Sequence, residues 1–303
     1  MYNDSAMKIV GHEKILAEHL NLAEKGLISQ AYLFVGPKHI GKTTVAKELG
    51  HTLLCQASSK KPCGFCENCR LFSGGNLPDL LIDDSEEGIG VEEIRQLIKF
   101  LDLASYRSSQ KVALIGQAER MTEQAANAFL KTLEEPAQTT TIILTAEKED
   151  NLLETIVSRC QTVRFNIPAE EAVREHLSRE LSLPKEQIDE LIKLSGGRIG
   201  LAIMISQDDK RIARTKELLS DFLEANDGGY KKKFNFVDKY AKSENLISDL
   251  EVLENYFYYQ MSRKEMSGEE RLKITHILDR IAKSKEYFYR NINPGTILGS
   301  LVI

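Results

Sequence analysis

No apolar run in the sequence approaches the roughly 18 residues that carry a helix across a bilayer, so a helical membrane span is excluded. Positive charge is not in excess either. Against 40 Lys+Arg stand 45 Asp+Glu, a net charge of -5, which argues against a whole-surface attraction to phosphate backbones and leaves room only for a local basic patch. The stretch Met1–Lys8 lacks the basic and apolar regions of a secretory signal, and a cytoplasmic location is the expectation. Cysteine is scarce. Five residues, four of them gathered between Cys55 and Cys69, do not make a disulfide framework in a reducing compartment, and metal is the better first reading. Internal repeats and low-complexity tracts are missing, which sets solenoid architectures aside.

What is present is a soluble, globular composition, 42% hydrophobic and 28% charged, over 303 residues, enough for two or three domains with real cores. From Ala31 to about Phe165, short apolar runs alternate with helical patterns. The runs are Ala31–Val35, Asp79–Ile82, Lys111–Ile115, Thr140–Leu144 and Thr162–Phe165. They are continuously apolar rather than alternating, and strands of that kind separated by helices predict a parallel sheet covered on both faces. Val91, Ile94, Leu97, Ile98 and Leu101 show the helical period between the second and third runs. A second helix, with Ala125, Ala126, Phe129, Leu130 and Leu133, stops before Pro136. After Phe165 the strand signals end. A small helical segment runs from Pro168 to Gly196-Gly197, and from about Arg211 the pattern stays helical, interrupted at Asn226–Gly229 and Ser267-Gly268, with Pro294 near the end.

Directly after the first run comes Gly36-Pro37-Lys38-His39-Ile40-Gly41-Lys42-Thr43, a full G-x-x-x-x-G-K-[ST] match, with Thr44 following. Gly36 and Gly41 let backbone N–H groups close around phosphate oxygens. Lys42 reaches the β- and γ-phosphates, and the Thr43 hydroxyl is placed for Mg²⁺ at a helix N-terminus. Residues 36–44 are therefore the candidate site for ATP and Mg²⁺. Hydrolysis needs more: an acidic residue ending the third strand to hold the metal, and a group to orient water. Gly116-Gln117 stand there instead, and Gln117 and Glu119 read as solvated loop residues.

Cys63-x2-Cys66-x2-Cys69, with Cys55 upstream, gives four thiolates suited to a closed, structural, tetrahedral Zn²⁺ site; an iron–sulfur cluster is the competing metal reading. Lys60, Lys61 and Arg70 beside it, and Lys231-Lys232-Lys233 with Lys239 and Lys242 further on, read as solvated faces. Tyr256–Tyr259 reads as helix-packing surface.

Ser158-Arg159-Cys160 by itself reads as a surface arginine beside a small buried cysteine. Taken in order, the P-loop, the cysteine excursion, Ala125-Ala126-Asn127-Ala128-Phe129-Leu130-Lys131-Thr132-Leu133-Glu134-Glu135-Pro136 and Ser158-Arg159-Cys160 resemble bacterial clamp-loader subunits of the AAA+ superfamily. The likeness is strongest from Val10-Gly11-His12 to Phe165. It implies an α/β AAA+ core over residues 1–165, with a zinc module at about 55–69, then a small helical lid over 166–208 and an all-α collar over 209–303 that assembles the ring. It also implies that Arg159 acts in trans, as an arginine finger on a neighbouring subunit's ATP, and that Cys55, Cys63, Cys66 and Cys69 hold structural zinc. The implied partners are gamma/tau-like motor subunits, a delta-like subunit, the sliding clamp and, through the assembled complex, primed DNA.

The departures matter as much. The motor subunits of that family carry Asp-Glu where this chain has Gly116-Gln117, Thr145-Ala146-Glu147 does not reproduce their strand-end sensor, and Gly196-Gly197-Arg198-Ile199-Gly200 is out of register with their second sensor arginine. The expectation is an accessory subunit that binds ATP with little or no hydrolysis of its own. An autonomous ATPase motor, and a zinc-dependent nucleic-acid-binding module, are the two competing readings.

Overall fold

The computed structural model describes residues 9–84, 87–137, 139–243, 245–262 and 266–302; the stretch Met1–Lys8, read above for a targeting signal, lies outside them. The chain divides into two compact units, Met1–Pro168 and Ala169–Ile303.

The first unit holds α1 (Glu13–Glu24), β1 (Ala31–Val35), α2 (Lys42–Leu54), α3 (Glu67–Ser73), β2 (Leu80–Asp83), α4 (Val91–Asp102), β3 (Lys111–Ile115), α5 (Glu123–Glu134), β4 (Thr140–Ala146), α6 (Glu154–Val157) and β5 (Gln161–Arg164). The five strands form one parallel sheet in the order β2-β3-β4-β1-β5, with Ala31 opposite Ile142 and Tyr32 opposite Gln161. Strand alternation sorts the side chains between two cores. Leu33, Val35, Ala113, Ile115, Ile142 and Leu144 meet α4 and α5 on one face, through Ile94, Leu97, Phe129 and Leu133. Tyr32, Phe34, Val112, Leu114 and Ile143 meet α2 on the other, through Val45, Ala46, Leu49 and Leu53, with Ile15, Leu16 and Leu20 of α1 alongside.

The expected two-sided burial holds for β1, β3 and β4, every residue of which is buried. It fails at the edges, where β2 and β5 are partly exposed, because each has only one neighbouring strand. The chain leaves β1 for the far edge and later returns to the other side of β1 with β5. The carboxyl end of β1, from which the glycine-rich loop departs, therefore lies where the strand order reverses, the position at which open α/β sheets bind ligands.

The second unit is helical throughout its described residues: α7 (Glu170–Glu180), α8 (Lys185–Ser195), α9 (Ile199–Ser206), α10 (Asp209–Asp227), α11 (Tyr230–Tyr240), α12 (Leu246–Ser262), α13 (Gly268–Tyr289) and α14 (Pro294–Val302). The segment read as one helical stretch from Pro168 to Gly196 is two helices, broken ahead of Pro184, which cannot supply the backbone donor a continuing helix needs. Gly196 closes α8 in the left-handed conformation (φ +64°), and a Cβ there would lie 2.5 Å from the Asn255 carbonyl oxygen. Ser267 caps α13 reciprocally with Glu270. One apolar core gathers Leu191, Leu218, Phe222, Phe236, Leu253, Ile281 and Leu301 from α8 and α10–α14.

Candidate functional site: a phosphate loop, a cysteine centre and an outlying arginine

The loop from β1 to α2 has the backbone its glycines require. Gly36 has φ +156°, and a Cβ there would sit 2.4 Å from the carbonyl oxygen of Phe165. Gly41 precedes α2 with φ +101° and, being glycine, places no side-chain cap at the head of this helix. Lys42 is nearly enclosed, 7% exposed, and its ammonium donates to the carbonyl oxygens of Gly36 (2.7 Å) and Pro37 (2.8 Å), which holds it across the loop.

Beneath the loop lies a residue that sequence reasoning did not assign. The buried ring of His12 donates through Nε2 to the Ile40 carbonyl oxygen at 2.9 Å and stands edge-on to Phe165. Burial pushes its pKa below the ordinary value, against the bond to Ile40, which favours the charged ring. Gly11, just before it, has φ +75°, and a Cβ there would meet Pro168 at 2.6 Å.

After β3 the backbone is tied to the ends of the neighbouring strands. Gly116 N–H donates to the Asp83 carbonyl oxygen, Gln117 is left-handed (φ +49°), and its N–H donates to the Thr145 hydroxyl at 3.1 Å. Glu119 is not the solvated loop residue expected. One carboxylate oxygen accepts from the Glu147 N–H at 3.1 Å, which ties the turn to the end of β4, and the other is buried without a hydrogen-bond partner among the described residues. Asp84, past the end of β2, pairs with Lys47 of α2 at 2.6 Å.

The four cysteines converge, with all four sulfurs within 4.8 Å of one another. Sulfurs about 2.3 Å from a tetrahedral Zn²⁺ stand about 3.8 Å apart. Here Cys55–Cys69 is 3.7 Å, Cys63–Cys69 3.9 Å and Cys55–Cys66 4.0 Å. Backbone N–H groups of Cys63, Gly64, Cys66 and Cys69 donate to the sulfurs of Cys55, Cys69, Cys63 and Cys66, the polarity that thiolate ligands want. Burial alone would push the Cys63 thiol up, yet donors from Cys66 and Phe65 and the neighbouring thiols bring it down to about 6, while burial pushes Cys69 well up. Sulfurs this close ionise together only around a cation. The residues therefore fit a metal ion.

The centre is braced from outside. Asn68 donates to the Leu54 carbonyl oxygen (2.7 Å) and to the Ser108 hydroxyl (2.8 Å), and Arg107 pairs with Glu67. The loop carrying Arg107 and Ser108 is itself held by Asp79, fully buried, whose carboxylate accepts from the N–H groups of Tyr106, Arg107 and Ser108 at 2.6–2.7 Å.

Arg159 follows α6 and is half-buried. Its Nε donates to Glu134 Oε1 at 2.8 Å, Nη2 pairs with the same oxygen, and Nη1 donates to the Thr155 carbonyl oxygen at 2.8 Å. Cys160 beside it packs partly into the core, and burial pushes its thiol up to about 12, as for an inert structural cysteine. The structure thus places residues 36–41 in the loop after β1 and 42–44 in the first turn of α2, and gathers the four cysteines in one cluster, with Arg159 on the Ser-Arg-Cys segment that leads into β5.

Residues 11–169, more than half of the chain, match the family model described as "DNA polymerase III, delta subunit". The chain belongs to the delta-prime family of DNA polymerase III subunits. A delta-prime subunit of Pseudomonas aeruginosa is 38% identical over 174 residues, covering 56% of this chain and 53% of the relative. One from Haemophilus influenzae is 33% identical over 201 residues, covering 66% and 61%. The tau subunit of Escherichia coli is 34% identical over 175 residues, covering 57% of this chain and 27% of its own length. The likeness to these delta-prime subunits thus spans between half and two thirds of their length.

Proposed function

We propose that this chain is an accessory subunit of a sliding-clamp loader, which holds a nucleotide without turning it over and gives Arg159 to the ATP site of a neighbouring subunit. One observation carries the reading. The P-loop is complete, yet the segment after β3 offers Gly116 and Gln117, with the Gln117 N–H tied to Thr145 and Glu119 tied to Glu147, where a metal-holding carboxylate is needed. Membership of a family of DNA polymerase III subunits supports the replication context.

In this reading the N–H groups of residues 38–44 take the phosphates of ATP, Lys42 gives up its bonds to the Gly36 and Pro37 carbonyls for phosphate oxygens, and Thr43 offers its hydroxyl to Mg²⁺. Arg159 supplies fixed positive charge where charge develops on a transferring phosphoryl group. Cys55, Cys63, Cys66 and Cys69 hold Zn²⁺, which closes the 55–69 excursion as a structural staple. Residues 166–208 serve as the lid, 209–303 as the collar, and the partners are gamma/tau-like and delta-like subunits, the clamp and primed DNA.

ATP turnover by the isolated chain tests the first half directly. Nucleotide binding without steady-state turnover is expected. Turnover abolished by Lys42→Ala would make the chain a motor, a reading that the intact loop and the poised Lys42 favour.

A further inference from the structure

We propose that Glu134 is the positioning residue for Arg159: its carboxylate grips the side edge of the guanidinium and presents the remaining donors to the neighbouring subunit's phosphate. The inference rests on the trans role proposed above. Glu134 closes α5 and Arg159 follows α6, so two segments 25 residues apart are joined by one ion pair.

The geometry is specific. A guanidinium has five N–H donors in a fixed planar fork. Glu134 Oε1 takes the Nε donor and one from Nη2, and the Thr155 carbonyl oxygen takes one from Nη1. That leaves one donor on Nη2 without a partner among the described residues and one on Nη1 that reaches only the Ser158 hydroxyl, at 3.4 Å, a long bond that a phosphate oxygen can displace, so that both terminal nitrogens can meet phosphate oxygens.

Both partners remain accessible, with side-chain exposures of 28% for Arg159 and 49% for Glu134. A pair of this exposure contributes little to folding. Its value is orientational: an arginine that meets a phosphate from another chain loses less rotamer freedom when its side edge is already held. Asp or Glu beside a polyphosphate is otherwise repelled, so a carboxylate here is tolerable only while it is neutralised by Arg159.

The test uses the reconstituted loader with wild-type motor subunits, DNA and clamp, reading kcat and KM for ATP. Glu134→Ala is expected to slow the site served by Arg159 about threefold, the scale of one partly exposed charge-assisted contact, with KM unchanged. Glu134→Gln, which keeps an accepting oxygen without the charge, falls between Glu134→Ala and wild type. Glu135→Ala, an exposed neighbour without a role in the pair, matches wild type. On an Arg159→Ala background Glu134→Ala adds no further loss, an outcome that a merely structural carboxylate would not give. If Arg159→Ala lowers turnover and Glu134→Ala equals wild type or raises it, the positioning role is wrong and the trans role stands. Silence of Arg159→Ala itself overturns the trans role.

Discussion

Asp79→Asn is the sharpest structural perturbation available. Asp79 is fully buried and its carboxylate accepts three backbone N–H groups, from Tyr106 at 2.6 Å and from Arg107 and Ser108 at 2.7 Å. Asparagine keeps one accepting oxygen, which in its better orientation serves Arg107 and Ser108, the two donors that share one carboxylate oxygen. Its amide nitrogen then faces the Tyr106 N–H, donor against donor. Hydrogen bonds to a charged group contribute about 1.5–3 kcal/mol each, so this loss costs about 1.5–3 kcal/mol. For a unit of this size that lowers Tm by about 3–12 °C. The assay is calorimetry or far-ultraviolet circular dichroism, following the transition of residues 1–168.

The pH dependence carries its own sign. Burial alone would raise the Asp79 carboxyl, but the three N–H groups and the Ser108 hydroxyl hold it below the ordinary carboxylate value. A depressed native pKa stabilises fully above the unfolded value, about 3.9, and is lost as pH falls through the native one. Wild type should therefore lose this contribution below about pH 4, and the variant should lack that component of acid sensitivity. A Tm shift below about 2 °C, less than 1 kcal/mol at this size, would refute the claim that this carboxylate holds the loop bracing the cysteine centre.

Three further outcomes follow from the same geometry. Gly36→Ala places a Cβ 2.4 Å from the Phe165 carbonyl oxygen, so nucleotide affinity measured by calorimetric titration falls and Tm drops with it, by about 1–3 kcal/mol of strain. Metal analysis should give one Zn²⁺ per chain, and Cys69→Ser should abolish it while lowering the Tm of residues 1–168. His12→Phe keeps the ring against Phe165 but removes the donor to Ile40; the unpaired buried carbonyl costs about 1–3 kcal/mol and weakens nucleotide binding in the same titration.

The sequence made the strands legible in proportion to their burial. β1, β3 and β4 are covered on both faces, and their unbroken apolar runs mark them to within two residues. β2 is paired from Leu80 rather than Asp79, although the Asp79 carbonyl oxygen already accepts from the Val112 N–H, and the aspartate's carboxylate goes to a distant loop. The phosphate loop and the cysteine set were readable because backbone freedom and metal ligation impose local spacing. Their supports were not. Asn68 meets Ser108 across 40 residues and Asp79 meets the 106–108 segment across 27–29, and neither leaves a periodic trace. Arg159 stood out only through family likeness. Nothing in the residue pattern tied it to Glu134, since an ion pair between two loop-proximal ends has no spacing rule.

The central claim separates two roles within one chain: its own phosphate loop holds nucleotide, and its arginine serves a neighbour. The most direct measurement is DNA- and clamp-stimulated ATP turnover by the reconstituted loader with Lys42→Ala or Arg159→Ala introduced in this chain alone. The account predicts that Arg159→Ala lowers turnover in an intact assembly while Lys42→Ala leaves kcat at the wild-type value. The reverse pattern, a loss with Lys42→Ala and none with Arg159→Ala, would contradict it and make this subunit a motor in its own right.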